Sequence, residues 1–365
     1  MPHNLNSMSF RYKADDILKL KRCRKCILPT NYPEITFNEK GICNYCLDYN
    51  IQKYLGEQAF VKLINSIKDQ GNQYDCLVPI SGGRDSAFVL YQMKIKFKLN
   101  VLAYNYDNGF VSSVAKENVK KITEMLGVDL IRLRSKRDIQ CKNLRYMIKL
   151  NLHRSPAHGI LGLCLGCNHG IWGGAHKIAK ENKIPLVVFG ESKMESGLAK
   201  KLISRKLRRT RKEKIKYAVK LPVNFLLRKY YWILLKKEFP AHDFTDIVKV
   251  NYYDYLEWDE DKMFEVIEKE LGWQKEKGMS SWRFDCKIHA LINYLHKKLY
   301  GFTEKDELYS KMIREGMITR DVALAKATTG TESDDKEMEV INEVFDRLNL
   351  NHKEREAILE LQTLS

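Results

Sequence analysis

Six residues, Ser81-Gly82-Gly83-Arg84-Asp85-Ser86, bring together the residue types that hold a polyphosphate. Two glycines let the backbone turn sharply and approach a ligand with no Cβ in the way. Ser81 and Ser86 offer hydroxyls to phosphate oxygens. The apolar run Cys76 to Ile80 precedes the loop, and Ala87, Val89, Leu90 and Tyr91 follow at helical spacing. A strand therefore turns into a helix here, and unpaired N–H groups and the positive end of a helix dipole converge on one anion site. The G-x-x-x-x-G-K-[ST] loop is excluded because no Lys follows the glycines, and G-x-G-x-x-G is excluded by spacing. Asp85 stands in place of that Lys. A carboxylate beside phosphates repels them unless a divalent cation bridges the two, so the loop implies Mg²⁺. Ser81, Asp85 and Ser86 are the candidate catalytic residues, with Gly82 and Gly83 completing the cradle. Arg84 occupies the variable place and is expected to matter less.

The second chemistry-bearing group is cysteine. Cys23-x-x-Cys26 and Cys43-x-x-Cys46 are separated by sixteen residues that include Pro29, Pro33 and Gly41. Four thiolates at that spacing close a tetrahedral coordination sphere, which predicts a zinc ribbon whose metal is structural. A third pair, Cys164 and Cys167, lies near mid-chain, and Cys286 lies well downstream of it. Without a secretory leader or a long apolar run, a cytoplasmic protein is expected, in which such pairs read as metal ligands rather than disulfides.

These residues need a scaffold. After the first strand, loop and helix come a strand at Asn100 to Tyr106, a helix at Val114 to Leu126, a strand at Leu130 to Leu133, a helix over 137–153, and a strand at Ile184 to Phe189. Strands alternating with helices predict an α/β fold with a doubly wound parallel sheet and ligands at the carboxyl ends of its strands. Asn105 and Asp107, ending the second strand, would then lie beside the loop and border the adenosine. Gly190 and Glu191, ending a later strand, would face the cleft, with Glu195 one turn on; for both glutamates a solvated surface acid is the competing reading. The expected organisation is a zinc ribbon over 1–60, a nucleotide-binding domain over 61–255 and a helical region over 256–365. In the last, Thr303 and Asp306 read as a helix cap with its reciprocal acid.

In 365 residues, 63 Lys and Arg against 46 Asp and Glu give a net charge of +17, which suits an anionic partner. Much of that charge lies in the stretch 200–237, basic first and then apolar and aromatic. It fits an anionic membrane surface, nucleic acid, or a solvated helix with a packed sequel.

The motif S-G-G-x-D-S resembles the pyrophosphate loop of the ATP pyrophosphatases, enzymes of Rossmann-like fold that cleave ATP between the α- and β-phosphates. Nearly the whole chain resembles the N-acetyl sugar amidotransferases of bacterial surface-polysaccharide (LPS O-antigen and nonulosonic acid) biosynthesis. The resemblance rests on CRKCILPTNYPEITFNEKGICNYC, PISGGRDS, FGES, RFDCKIHALINYL and MIREGMITRDVA. It implies ATP-dependent conversion of an acetamido sugar to an acetamidino sugar, with ammonia supplied by a separate glutaminase through a cyclase-like partner. The basic stretch 200–237 departs from the family pattern. The alternative is a tRNA sulfur-transfer enzyme using the same adenylylation. Sulfur-transferring relatives place a three-cysteine iron–sulfur cluster where Cys164, Cys167 and Cys286 stand, which leaves one iron open to substrate. For this trio the choice among iron, zinc and no metal stays open.

Overall fold

The computed structural model describes residues 20–68, 71–152, 163–195, 219, 221–240, 244–275, 283–328 and 334–360. Residues 1–19, most of the basic run between 200 and 220, and Gly330 lie outside the described residues.

Five segments become the strands of one sheet: the apolar β1 Cys76–Pro79, β2 Val101–Asp107 and β4 Leu186–Phe189 inside it, and the more polar β3 Asp129–Arg134 and β5 Val248–Asn251 at its edges. All pairings are parallel, in the order β3-β2-β1-β4-β5. β5 was not expected from sequence; it is a four-residue edge strand, mostly half-buried, and its pattern carries little signal. A helix, α1 Glu57–Asn65, leads into the sheet. There follow α2 Arg84–Tyr91, α3 Ser113–Leu126, α4 Ile139–Leu152, α5 Leu165–Glu181 and α6 Pro222–Glu238.

Side chains alternate across the sheet, and each face has its own core. Cys76, Val78, Val101, Ala103, Leu186 and Val188 pack with Val89 of α2 and Ile122 of α3, and with Met263 and Ile267 of α7 Glu260–Leu271. Leu77, Leu102, Tyr104, Val187 and Phe189 pack on the other side with Ala175 and Ile178 of α5 and Leu235 of α6. With both faces covered, the sheet is doubly wound, as the alternation of elements predicts.

The remaining helices are α8 Ile288–Tyr300, α9 Glu304–Arg314, α10 Arg320–Thr328, α11 Asp334–Arg347 and α12 His352–Leu359. α8 opens the helical C-terminal region and shares a core with α4, α11 and α12. The Thr303 cap forms as expected, its N–H donating to Asp306 Oδ2 at 2.7 Å. The N-terminal cysteine segment does not stand alone. Ile27 N–H donates to Ser310 Oγ at 3.2 Å, Arg22 pairs with Asp306 at 2.6 Å, and Arg320 Nε donates to the carbonyls of Cys23 and Cys26 at 3.3 and 3.2 Å.

Candidate active site

The order β3-β2-β1-β4-β5 puts the topological switch between β1 and β4, where open α/β sheets bind ligands. Ser81 to Ser86 leave β1 at that point and Gly190 leaves β4. The two approach so closely that a Cβ on Gly190 would sit 3.3 Å from Asp85 and Ser86 backbone atoms. Gly82 has φ +88°, and a Cβ there would overlap the Ala115 carbonyl, so both its conformation and its surroundings require glycine.

The loop is braced internally. Gly83 N–H donates to Ser81 Oγ, and Ser81 N–H donates to Ser86 Oγ, each at 3.2 Å. Trp273 Nε1 and Asn118 Nδ2 donate to the Gly82 carbonyl at 2.9 and 3.3 Å. By helix geometry the N–H groups of Arg84, Asp85 and Ser86, in the first turn of α2, have no intrahelical acceptor. A cleft of about 820 Å³ opens over this turn, lined by Ser81, Gly83, Asp85, Ser86, Gly190 and Glu191 among the sequence-predicted residues.

Two predicted residues are placed elsewhere. Asn105 is buried and its amide donates to the Ile80 carbonyl at 2.7 Å, tying β2 to the root of the loop. Asp107 accepts from Gly109 N–H at 2.8 Å and faces Arg134 at 3.7 Å. From this stretch it is Tyr106 and Asn108 that line the cleft. Glu191 is exposed and accepts from Trp172 Nε1 at 2.8 Å, whereas Glu195 is the deeper acid.

Arg84, expected to matter least in the loop, is its most heavily engaged side chain. It is 6% exposed, and its guanidinium meets Asp85 Oδ2 at 3.3 Å, Glu195 Oε1 at 2.9 Å and Glu260 Oε1. It also lies 4.8 Å over the Trp258 ring. Lys326 backs Glu260 at 2.9 Å, and Arg283 backs Glu195 at 3.1 Å. Burial, then the nearby Asp85, pushes the Glu195 carboxyl up to about 7 against the pull of Arg283 and Arg84. Burial also acts on Glu260, but Arg84 and Lys326 outweigh it and hold that carboxyl below its ordinary value. Asp85 Oδ1 accepts from Trp258 Nε1 at 2.5 Å, so the carboxylate is fixed from both sides.

Across the cleft, residues 283–288 are stitched to the loop after β2. Ser112 N–H donates to the Asp285 carbonyl at 3.1 Å, and Lys287 N–H donates to the Phe110 carbonyl at 2.8 Å. This brings the Asp285 carboxylate against the Ser81 hydroxyl; burial raises its pKa, with Ser81 and Arg283 opposing. Arg283, Asp285, Glu260, Lys275, Lys305 and Lys326 were not singled out from sequence as site residues, yet all line the cleft. The nearest signal was adjacency: Arg283 and Asp285 flank Phe284 in the quoted stretch RFDCKIHALINYL, just before Cys286.

Cys164, Cys167 and Cys286 line this same cleft. Asn108 Nδ2 donates to Cys167 Sγ at 3.4 Å and to Cys286 Sγ at 3.2 Å. The trio is not gathered to single-ion spacing. Among the described residues, that spacing is met by Cys23, Cys26, Cys43 and Cys46, whose four buried Sγ atoms lie within 4.8 Å of one another. Cys26–Cys43 at 3.8 Å and Cys23–Cys46 at 4.0 Å match the edge of about 3.8 Å that a tetrahedron with metal–sulfur bonds of about 2.3 Å requires. This is a closed four-cysteine metal site.

Comparison with known proteins adds the following. Residues 276–364 match the family described as LPS biosynthesis protein WbpG-like, C-terminal domain. The uncharacterized protein MJ1599 of Methanocaldococcus jannaschii is 32% identical over 118 residues, which cover 31% of this chain and 42% of that relative. A solved U34-tRNA thiolase, NcsA from Methanococcus maripaludis with its 4Fe-4S cluster, overlays 91% of this chain and 89% of its own, at 13% identity and a TM-score of 0.34. A likeness at that score carries no argument for this chain. The WbpG-like match thus covers the C-terminal quarter of the chain, the part that holds Arg283, Asp285 and Cys286.

Proposed function

We propose that this protein is an ATP-dependent, AMP- and pyrophosphate-forming amidotransferase that converts an acetamido sugar into an acetamidino sugar. The observation that carries the reading is that the WbpG-like segment completes the loop's cleft, with Asp285 against Ser81 and Arg283 on Glu195. An amide carbon is a poor electrophile until its oxygen becomes a leaving group. The amide oxygen attacks the α-phosphorus of ATP and pyrophosphate departs. Ammonia then adds to the imidate carbon, and AMP leaves carrying the former amide oxygen. Ser81, Ser86 and the first-turn N–H groups of α2 bind the departing phosphates, and Arg84 and Trp258 hold Asp85 in place. The chain's contribution is positioning and charge stabilisation.

Mg²⁺ fits this site. The ion takes one or two carboxylates plus phosphate oxygens, and Asp85 and Asp285 flank the loop, with lone pairs remaining on Asp85 beyond its bonds to Trp258 and Arg84. When bound, Mg²⁺ neutralises the charge developing on pyrophosphate. Zinc is the ion assigned to the four N-terminal cysteines, in a structural role. The ammonia source is a separate glutaminase with a cyclase-like partner.

Pyrophosphate release is the test. It should require an acetamido sugar and ammonium, should not accept glutamine in place of ammonium, and should be lost in a folded Asp85→Ala variant. The second reading, tRNA sulfur transfer, draws on Cys164, Cys167 and Cys286 lining the loop's own cleft. Release that depends on tRNA and on no acetamido sugar would replace the first reading by the second.

A further inference from the structure

α6 has two unlike faces. Inward, Leu235 is buried, Tyr231 stacks on Tyr146 of α4 with centroids 5.6 Å apart and planes 7° from parallel, and Trp232 lies 5.6 Å from His169 of α5. The helix is therefore docked on the nucleotide-binding core. Outward, Val223, Leu226, Tyr230 and Ile233 form a seam at spacings of three and four residues, each 43 to 65% exposed. That spacing keeps one face of a helix in register. Lys229, Lys236 and Lys237 are exposed beside the seam, and positions 219–237 contain no Asp or Glu.

Charge is concentrated here as well. From 200 to 238 the sequence holds fifteen Lys and Arg against two Glu, so this stretch carries +13 of the chain's +17. Positive charge alone would suit nucleic acid, but a seam of aliphatic side chains has no counterpart on a phosphate backbone. A second copy would cover the seam, but it would set Lys229, Lys236 and Lys237 against their own equivalents. An anionic bilayer satisfies both features at once, accepting the apolar stripe among its acyl chains and the lysines among its headgroups. No described helix is long and apolar enough to cross a membrane, and the seventeen residues of α6, about 25 Å long, suit lying along one.

We infer that the outward face of α6 is an interfacial docking surface that seats the protein on an anionic lipid surface, independently of the chemistry in the cleft. The test is flotation of the full chain with phosphatidylcholine vesicles, with and without phosphatidylglycerol. Binding is expected only with phosphatidylglycerol. Leu226→Glu/Ile233→Glu should lower partitioning by at least about tenfold, from the apolar burial lost. Each of Lys229→Gln, Lys236→Gln and Lys237→Gln should lower it by about fivefold. Unchanged circular dichroism confirms that the variants fold. The inference is overturned by no flotation, by equal flotation with neutral vesicles, or by flotation indifferent to the seam substitutions. It is equally overturned if the seam substitutions abolish only self-association, or if an RNA duplex binds while vesicles do not. None of these outcomes bears on pyrophosphate release, so failure here and failure of the amidotransferase reading are distinguishable.

Discussion

Replacing Arg84 by Met preserves length and apolar bulk but deletes the guanidinium beneath the loop. Asp85, Glu195 and Glu260, with side chains 18%, 14% and 8% exposed, lose their shared cation. Breaking one side of a buried ion cluster costs about 3–5 kcal/mol. Glu195 keeps Arg283 and Glu260 keeps Lys326, which places this term near about 3 kcal/mol; the lost stacking on Trp258 adds about 1 kcal/mol. Arg84→Met should therefore lose about 4 kcal/mol of unfolding free energy. Arg84→Lys should lose about half as much, because an ammonium cannot serve three carboxylates in a fork. Denaturant titration, with midpoints compared at unchanged slope, reads this directly. A loss below about 1 kcal/mol for Arg84→Met, the scale of an exposed ion pair, would refute the claim that this network holds the loop.

Stripping the metal from Cys23, Cys26, Cys43 and Cys46 should loosen α9 and α10 as well as the ribbon, because Ser310, Asp306 and Arg320 bond to it. Hydrogen exchange after chelation should rise in both helices, and a rise confined to residues 20–47 would contradict this. Glu195 titrates near 7 in the folded chain against an ordinary 4.5, so the folded state binds the extra proton. The stability this contributes is full below about 4.5 and is lost as pH rises through about 7. Glu195→Gln should remove that slope, so the variant gains on the wild type between those pH values; parallel stability–pH curves would show that Glu195 is not the group responsible. Gly82→Ala should impair both folding and nucleotide binding, because φ is +88° and the Ala115 carbonyl occupies the space. Wild-type thermal stability in that variant would mean that the loop turns differently.

Much of this was legible because local chemistry and fold agree. Cys76 to Ser86 could be read as strand, turn and helix from apolar run, glycines and helical spacing, and two C-x-x-C pairs have few other uses. The expected doubly wound sheet follows from strands alternating with helices. What was hidden depends on tertiary distance. Nothing local marks Arg84 as buried, since Glu195 and Glu260 reach it from 111 and 176 residues away. Asp285 meets Ser81 only because residues 283–288 pair with the chain after β2. Asn105 lies within β2, two residues before its end, and its amide turns to the Ile80 carbonyl beside β1, a partner that only the pairing of the two strands brings near. β5 escaped because four half-exposed residues at a sheet edge carry too weak a pattern.

The central claim concerns one oxygen atom. Acetamido sugars, free and nucleotide-linked, would each carry oxygen-18 in the acetyl carbonyl and be incubated with the protein, ATP, Mg²⁺ and ammonium, and the AMP formed would be weighed by mass spectrometry. The account predicts that, with the sugar that supports turnover, every AMP gains one heavy oxygen while the sugar product loses it, NH replacing O. AMP that forms without label while the sugar keeps its heavy oxygen would contradict the proposed adenylylation.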